Sequence, residues 1–154
     1  MKKFTILILF LSLSLFSQEL RVKANSFKAD EKAGISVFEG DVNILKGSDE
    51  LNASKVVIHT DKEHNPTKFI ANENVSFNIV TKEGSIYSGR AGKVIYLPIK
   101  KEYHFYKDVH LYQIDEKKEI IGDEVILKTI EGKAYAKGQK SEPVIMIFNI
   151  DEEK

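Results

Sequence analysis

An all-β fold, one antiparallel sheet of consecutive hairpins, is predicted by three observations on the 154-residue chain. Apolar and polar side chains alternate with period two over most of its length, which places one face of each strand inward and the other in water. A unit recurs: Phe38-Glu39-Gly40-Asp41-Val42-Asn43-Ile44, then Asn72-Glu73-Asn74-Val75-Ser76-Phe77-Asn78-Ile79, then Tyr106-Lys107-Asp108-Val109-His110-Leu111-Tyr112. Val42, Val75 and Val109 lie 33 and 34 residues apart, so the same rising and returning strand pair is stacked repeatedly along the sheet. Short polar connections rich in glycine or charge separate the runs, as hairpin turns require.

The elements follow in order. Met1-Lys2-Lys3 is basic, and Phe4 to Phe16 is apolar but for Thr5, Ser12 and Ser14. Thirteen residues fall short of the roughly 20 that span a bilayer as a helix. With small Ser17 before polar Gln18-Glu19, residues 1–17 read as a secretory signal peptide and residues 18–154 as a single exported domain. An uncleaved membrane anchor is the alternative, since Leu15 stands where a smaller residue is preferred before the cut. Helical character is confined to this leader and the first turn after it. An opening strand lies near Leu20–Ala24, and a closing one runs from Pro143 to Asn149. Between them, Phe69, Ala71, Glu73, Val75, Phe77 and Ile79 alternate with Ile70, Asn72, Asn74, Ser76, Asn78 and Val80. Tyr103, Phe105, Val109 and Leu111 alternate with His104, Asp108, His110 and Tyr112. Turns fall at Lys46–Asp49, Lys82–Ser85, Asp115–Lys118 and Glu131–Lys133, with the broadest loop at Asp61–Pro66 and a break at Pro98, which cannot donate in a ladder. Roughly ten or more strands result, in an up-and-down order of consecutive hairpins. Gly40, Gly89, Gly92 and Gly122 lie inside strands, where they either permit bulges and twist or leave a side-chain-free floor for a ligand.

Composition excludes several classes. There is no cysteine, so disulfides, thiol chemistry and a lipid anchor on a cleaved N-terminal Cys are all ruled out. Cleavage would take Lys2 and Lys3 from 23 basic side chains and nothing from 23 acidic ones, leaving a net charge of −2. That balance recommends no nucleic-acid partner. His59, His64, His104 and His110 show no metal-ligand spacing, and neighbouring carboxylates such as Asp123-Glu124 point to opposite faces of a strand. No phosphate loop or nucleophile elbow occurs, so no catalytic residue, cofactor or metal is expected. Glu50-Leu51-Asn52-Ala53-Ser54 matches a glycosylation acceptor on a residue expected in a strand. Lys23, Lys28, Arg90, Lys93, Lys100 and Lys101 are either solubilising, edge-protecting charges or partners for lipid phosphates near the mouth of a groove.

Ala29-Asp30, then Phe38-Glu39-Gly40-Asp41-Val42-Asn43-Ile44, a turn, and Leu51-Asn52-Ala53-Ser54-Lys55-Val56 together resemble the OstA-like (LptA) family. Ser54 stands where the family has a second Asp. Ala91-Gly92-Lys93-Val94-Ile95-Tyr96 and Ile121-Gly122-Asp123-Glu124-Val125-Ile126-Leu127 continue the likeness loosely. The resemblance implies a slightly twisted, half-open, V-shaped antiparallel β-jelly roll. It implies a periplasmic lipopolysaccharide-transport protein that holds the lipid A acyl chains in an apolar groove. It also implies partners: the inner-membrane LptC and exporter complex, the outer-membrane LptD, and further copies stacked head to tail.

Elementary energetics agree. A lipid crossing water must hide its tails, and each methylene kept dry is worth about 0.8 kcal/mol. Groove-lining residues expected from the alternation are Phe38, Val42, Ile44, Val56, Ile58, Phe77, Ile79, Val94, Tyr96, Phe105, Val109, Leu111, Val125 and Leu127, each of which would otherwise be sandwich core. An unclosed roll leaves its first and last strands with unpaired backbone groups, a template for a neighbour. The rival readings are a membrane-anchored LptC-like component and a structural β-scaffold without lipid.

Overall fold

The structure, a computed structural model, describes residues 18–151; the leader expected over residues 1–17 lies outside them. Ten strands follow in order: β1 (Leu20–Lys23), β2 (Ser26–Asp30), β3 (Ile35–Lys46), β4 (Asp49–Thr60), β5 (Pro66–Val80), β6 (Ile86–Leu97), β7 (Glu102–Gln113), β8 (Lys118–Lys128), β9 (Lys133–Lys137) and β10 (Ile145–Phe148). From β3 to β8 each strand pairs antiparallel with the next, as consecutive hairpins must. The sheet is open: the path runs from β1 to β10 and does not close. Two expectations are corrected. Among the described residues no helical turn precedes β1, because Gln18 and Glu19 lead straight into Leu20, which pairs with Lys46. The broadest connection is residues 138–144 between β9 and β10, where Gln139 and Glu142 close a turn on each other, and not residues 61–65.

Every long strand is interrupted at its middle. The ladders shift register between Glu39 and Val42, Asn72 and Val75, and Tyr106 and Val109. In each case two residues of the odd-numbered strand face one of its partner, which is a β-bulge. The extra pairs are Gly40-Asp41, Glu73-Asn74 and Lys107-Asp108, and all six residues have positive φ, from 44° at Asp41 to 82° at Gly40. That region is costly for most side chains and is tolerated best by Gly, Asn and Asp. The acid or amide before each repeated valine is therefore a backbone requirement. Gly92 faces the Glu73-Asn74 pair from β6, and Gly122 pairs with Val109 beside the third shift. Gly89 does not: it pairs in regular register with Phe77 and Leu111, where a Cβ would collide with the carbonyl oxygen of His110.

Aligned bulges form a crease that divides the sheet into two halves. One half holds residues 42–46, 49–53, 75–80, 86–91, 109–113 and 118–122 and is flanked by β1 and β10. The other holds residues 35–39, 55–60, 66–72, 93–97, 102–106 and 124–128 and is flanked by β2 and β9. The halves fold face to face. Phe105 shares its row with Val94 and Ala71, and Ala71 lies six residues from Phe77 along β5, about 20 Å in a flat sheet. Yet the rings of Phe77 and Phe105 have centroids 4.4 Å apart. Among the described residues no two strands outside the ladders come within 8 Å between Cα atoms, so side chains fill the space between the halves.

Candidate functional site

The apolar interior between the halves is the candidate site. Its first half receives Val42 and Ile44 from β3, Phe77 and Ile79 from β5, and Val109 and Leu111 from β7, all buried. The second half receives Val56 and Ile58 from β4, Val94 and Tyr96 from β6, Phe105 from β7, and Val125 and Leu127 from β8, also buried. Phe38 differs. It is only half-buried at the β2 edge, where its ring meets that of exposed Phe27 at 5.1 Å. Leu51, Ala53, Phe69, Ala71, Val75, Tyr87, Ala91, Tyr103 and Ile120 complete the same cluster. Phe69, Ala71, Val75 and Tyr103 lie on alternating faces already legible in the sequence, and the signal for them was that same period. The three repeated valines stand just inside the crease, none more than 1% exposed.

The interior is packed. Tyr96 stacks on Tyr103 at 4.4 Å and Tyr103 on Phe105 at 6.1 Å. A cleft at the rim, bounded by Leu20, Ile44, Leu51, Phe69, Tyr96 and Tyr103, leaves about 30 Å³, enough for a water-sized group. A guest of any length therefore enters only if the halves part.

Few polar groups break this surface. Along the rim opposite the crease, the Tyr103 hydroxyl donates to Asp49 Oδ2 at 2.8 Å, and Asp49 Oδ1 accepts the Val80 N–H at 2.9 Å. Burial, with the Asp49 carboxylate beside it, holds the Tyr103 phenol protonated far above its ordinary range. Lys46 Nζ lies 4.9 Å from the Tyr96 ring centroid. The Lys82 N–H donates to the Thr129 carbonyl at 3.1 Å.

Outward faces are polar. His104 Nε2 meets Glu102 at 3.0 Å, which draws the Glu102 carboxyl below its usual value, and His110 Nδ1 lies 3.4 Å from Glu119. Arg90 and Lys107 flank a recess of about 620 Å³ on the outside of the crease, so Arg90 does not stand at the rim. Asn52, in mid-β4, accepts the Asn43 side-chain amide at 2.8 Å. Among the described residues no group of three acidic, His or Cys side chains is placed to hold a metal, and no helix is long and apolar enough to cross a membrane. Chemically the interior offers dispersion contacts and exclusion of water.

Comparison with known proteins agrees with this geometry. The family described as the LptA/(LptD N-terminal domain) LPS transport protein matches residues 21–133. The lipopolysaccharide export system protein LptH of Pseudomonas aeruginosa is 40% identical over 45 residues, which are 29% of this chain and 26% of LptH. The chain thus spans about a quarter of that relative in the match. The crystal structure of LptH, the LptA homologous periplasmic component of the lipopolysaccharide transport device of the same organism, superposes with a TM-score of 0.76 at 18% identity. That superposition covers 86% of this chain and 96% of LptH, and it shows a shared fold.

Proposed function

The chain belongs to the LptA/LptD N-terminal-domain family of lipopolysaccharide transport proteins, and from that membership we propose that it is a non-catalytic periplasmic carrier that shields lipid A acyl chains between its two half-sheets. The observation that carries this reading is the continuous apolar lining that both halves present to each other across a rim held by few polar contacts. When the carrier is empty, the two linings cover one another and stay dry. When it is loaded, acyl chains take the place of the opposite lining, so the apolar area of the protein stays buried while that of the lipid is added. At about 0.8 kcal/mol per methylene, a few dozen methylenes supply tens of kcal/mol in gross terms, against which the contacts between the halves must be broken.

The edges of the first half supply the partners in this proposal. β1 and β10 each pair on one side only. Ile145, Met146, Ile147 and Phe148 are 41–53% exposed, an apolar edge suited to strand addition. Joining β10 of one copy to β1 of the next extends the groove head to tail, and the same edges would meet LptC on the exporter side and the jelly roll of LptD on the outer-membrane side. Such a heterologous contact grows until capped.

The packed interior favours one rival, a sealed structural sandwich that takes no lipid. Mixing the purified chain with inner-membrane vesicles carrying radiolabelled lipopolysaccharide separates the two. A carrier withdraws lipopolysaccharide into a soluble, stoichiometric complex, and a sealed scaffold leaves all label in the membrane. The start of the exported chain distinguishes the anchored LptC-like form: Gln18 as first residue supports the soluble carrier, and a membrane-bound chain retaining Met1 refutes it.

A further inference from the structure

Among the described residues, three polar contacts bridge the halves along the rim opposite the crease: Lys46 on Tyr96, Asp49 with Tyr103, and the backbone bond from Lys82 to Thr129. They differ in strength. Lys46 lies over the edge of an aromatic stack, and the Lys82 bond joins two turns. Asp49 with Tyr103 is the one side-chain hydrogen bond that joins the halves among the described residues, and Tyr103 is 5% exposed. Its acceptor is fixed in advance, because the other carboxylate oxygen is held by the Val80 N–H. Asp49 and Tyr103 both border the rim cleft, whose apolar walls are Leu20, Ile44, Leu51 and Phe69.

We propose that the Asp49–Tyr103 hydrogen bond is the latch of the interior, and that the cleft it borders takes the tip of the first acyl chain as the halves part along this rim. The inference rests on the carrier reading and assigns its point of loading. The aligned bulges serve as the hinge: they interrupt the five ladders from β3 to β8 at one line, so the halves rotate about that line without breaking the pairing within either half. At the rim, parting breaks the three bridging polar contacts, and farther in it separates apolar packing such as Phe77 on Phe105. An acyl tip then occupies the cleft where Tyr103 had lain, and the remaining methylenes follow between the linings. Tyr103 and Asp49 are positioning residues here, since they set how readily the interior opens and do not hold the lipid themselves.

Stopped-flow uptake of fluorophore-labelled lipopolysaccharide from micelles tests the latch. Tyr103→Phe keeps the ring and its stack on Tyr96 but removes the donor to a carboxylate, so uptake is expected to rise roughly tenfold. Asp49→Asn, which keeps the shape and weakens the same bond, serves as a second variant and shifts the rate in the same direction by less. A third protein carries Lys82→Cys and Thr129→Cys, at backbones that meet at 3.1 Å, in a chain with no other cysteine. Oxidised, it is expected to lose uptake, and a reductant restores it. Uptake by the parent together with unchanged rates in both single variants, or an oxidised form that loads as fast as the reduced one, overturns the latch and leaves the carrier reading standing. A parent that takes up no lipopolysaccharide overturns the carrier reading, and the latch with it.

Discussion

Replacing Asn74 with valine is expected to destabilise the fold although nothing buried is touched. Asn74 is exposed, carries φ of 48° and follows Glu73 at 65° in the central bulge of the crease. Left-handed backbone costs an ordinary L-residue about 1–2 kcal/mol, asparagine bears less of it because its short amide bonds locally, and a β-branched side chain bears it in full. Asn74→Val therefore loses about 1–2 kcal/mol, and glycine, free of the steric cost but freer when unfolded, stays within about 1 kcal/mol of the parent. Urea titration followed by circular dichroism reads both, and the valine variant should shift its midpoint with the slope unchanged. Asp41→Val and Asp108→Val should behave alike, since their φ values are 44° and 48°. A valine variant as stable as the parent, or a glycine variant that costs more than valine, refutes the claim that the repeated acid or amide serves the bulge.

Phe105→Ala removes a fully buried ring that packs on Phe77 and Tyr103, and it should cost about 3–5 kcal/mol in the same titration; a loss below 1 kcal/mol would mean the halves are not locked by these rings. Tyr87, Tyr103 and Tyr106 are all raised, chiefly by burial, so they stay protonated in the fold at pH values where the unfolded chain ionises. Stability that is complete below the ordinary phenol value near 10 is then lost as pH rises beyond it, and absorbance at 295 nm should show Tyr103 ionising only with unfolding. Asp61, lowered by the Asn65 N–H, Asp115, lowered by the Ile86 N–H, and Glu102, lowered by His104, act in the opposite window. Their contribution is present above the usual carboxylate value near 4 and is lost as pH falls through their depressed values, so thermal midpoints should drop in acid, and a flat profile would contradict it. Ile147→Lys, on exposed β10, should abolish head-to-tail assembly in sedimentation while leaving the thermal midpoint unchanged; assembly undiminished would exclude that edge.

Period-two alternation made the sheet and most of its interior legible, because a strand with one wet face writes that face into every second residue. Thirteen of the fourteen residues expected to line the interior are buried there; Phe38 is not, since its distance from the edge depends on where short β2 lies, which no local pattern encodes. The crease was visible only as a recurring Gly-Asp, Glu-Asn or Lys-Asp before valine. Reading those residues as a backbone demand needs the φ values, and reading them as one line across the sheet needs the register of five ladders. The latch was not legible at all. Asp49 lies at a hairpin turn and Tyr103 on an alternating strand 54 residues away, and only the folding of one half onto the other brings them to 2.8 Å. Nothing local marks Lys46 as the lysine that meets Tyr96, while Arg90, more conspicuous in sequence, stands on the outer face.

The central claim is that cargo lies between the halves, and neighbouring residues on opposite faces test it most directly. Phe77 points inward at 3% exposure and Ser76 outward, one residue apart on β5. A photo-cross-linking residue placed at each in turn, in cells exporting lipopolysaccharide, should capture the lipid from position 77 and not from position 76. Capture from 76 equal to that from 77, or no capture from 77 at all, would contradict the account.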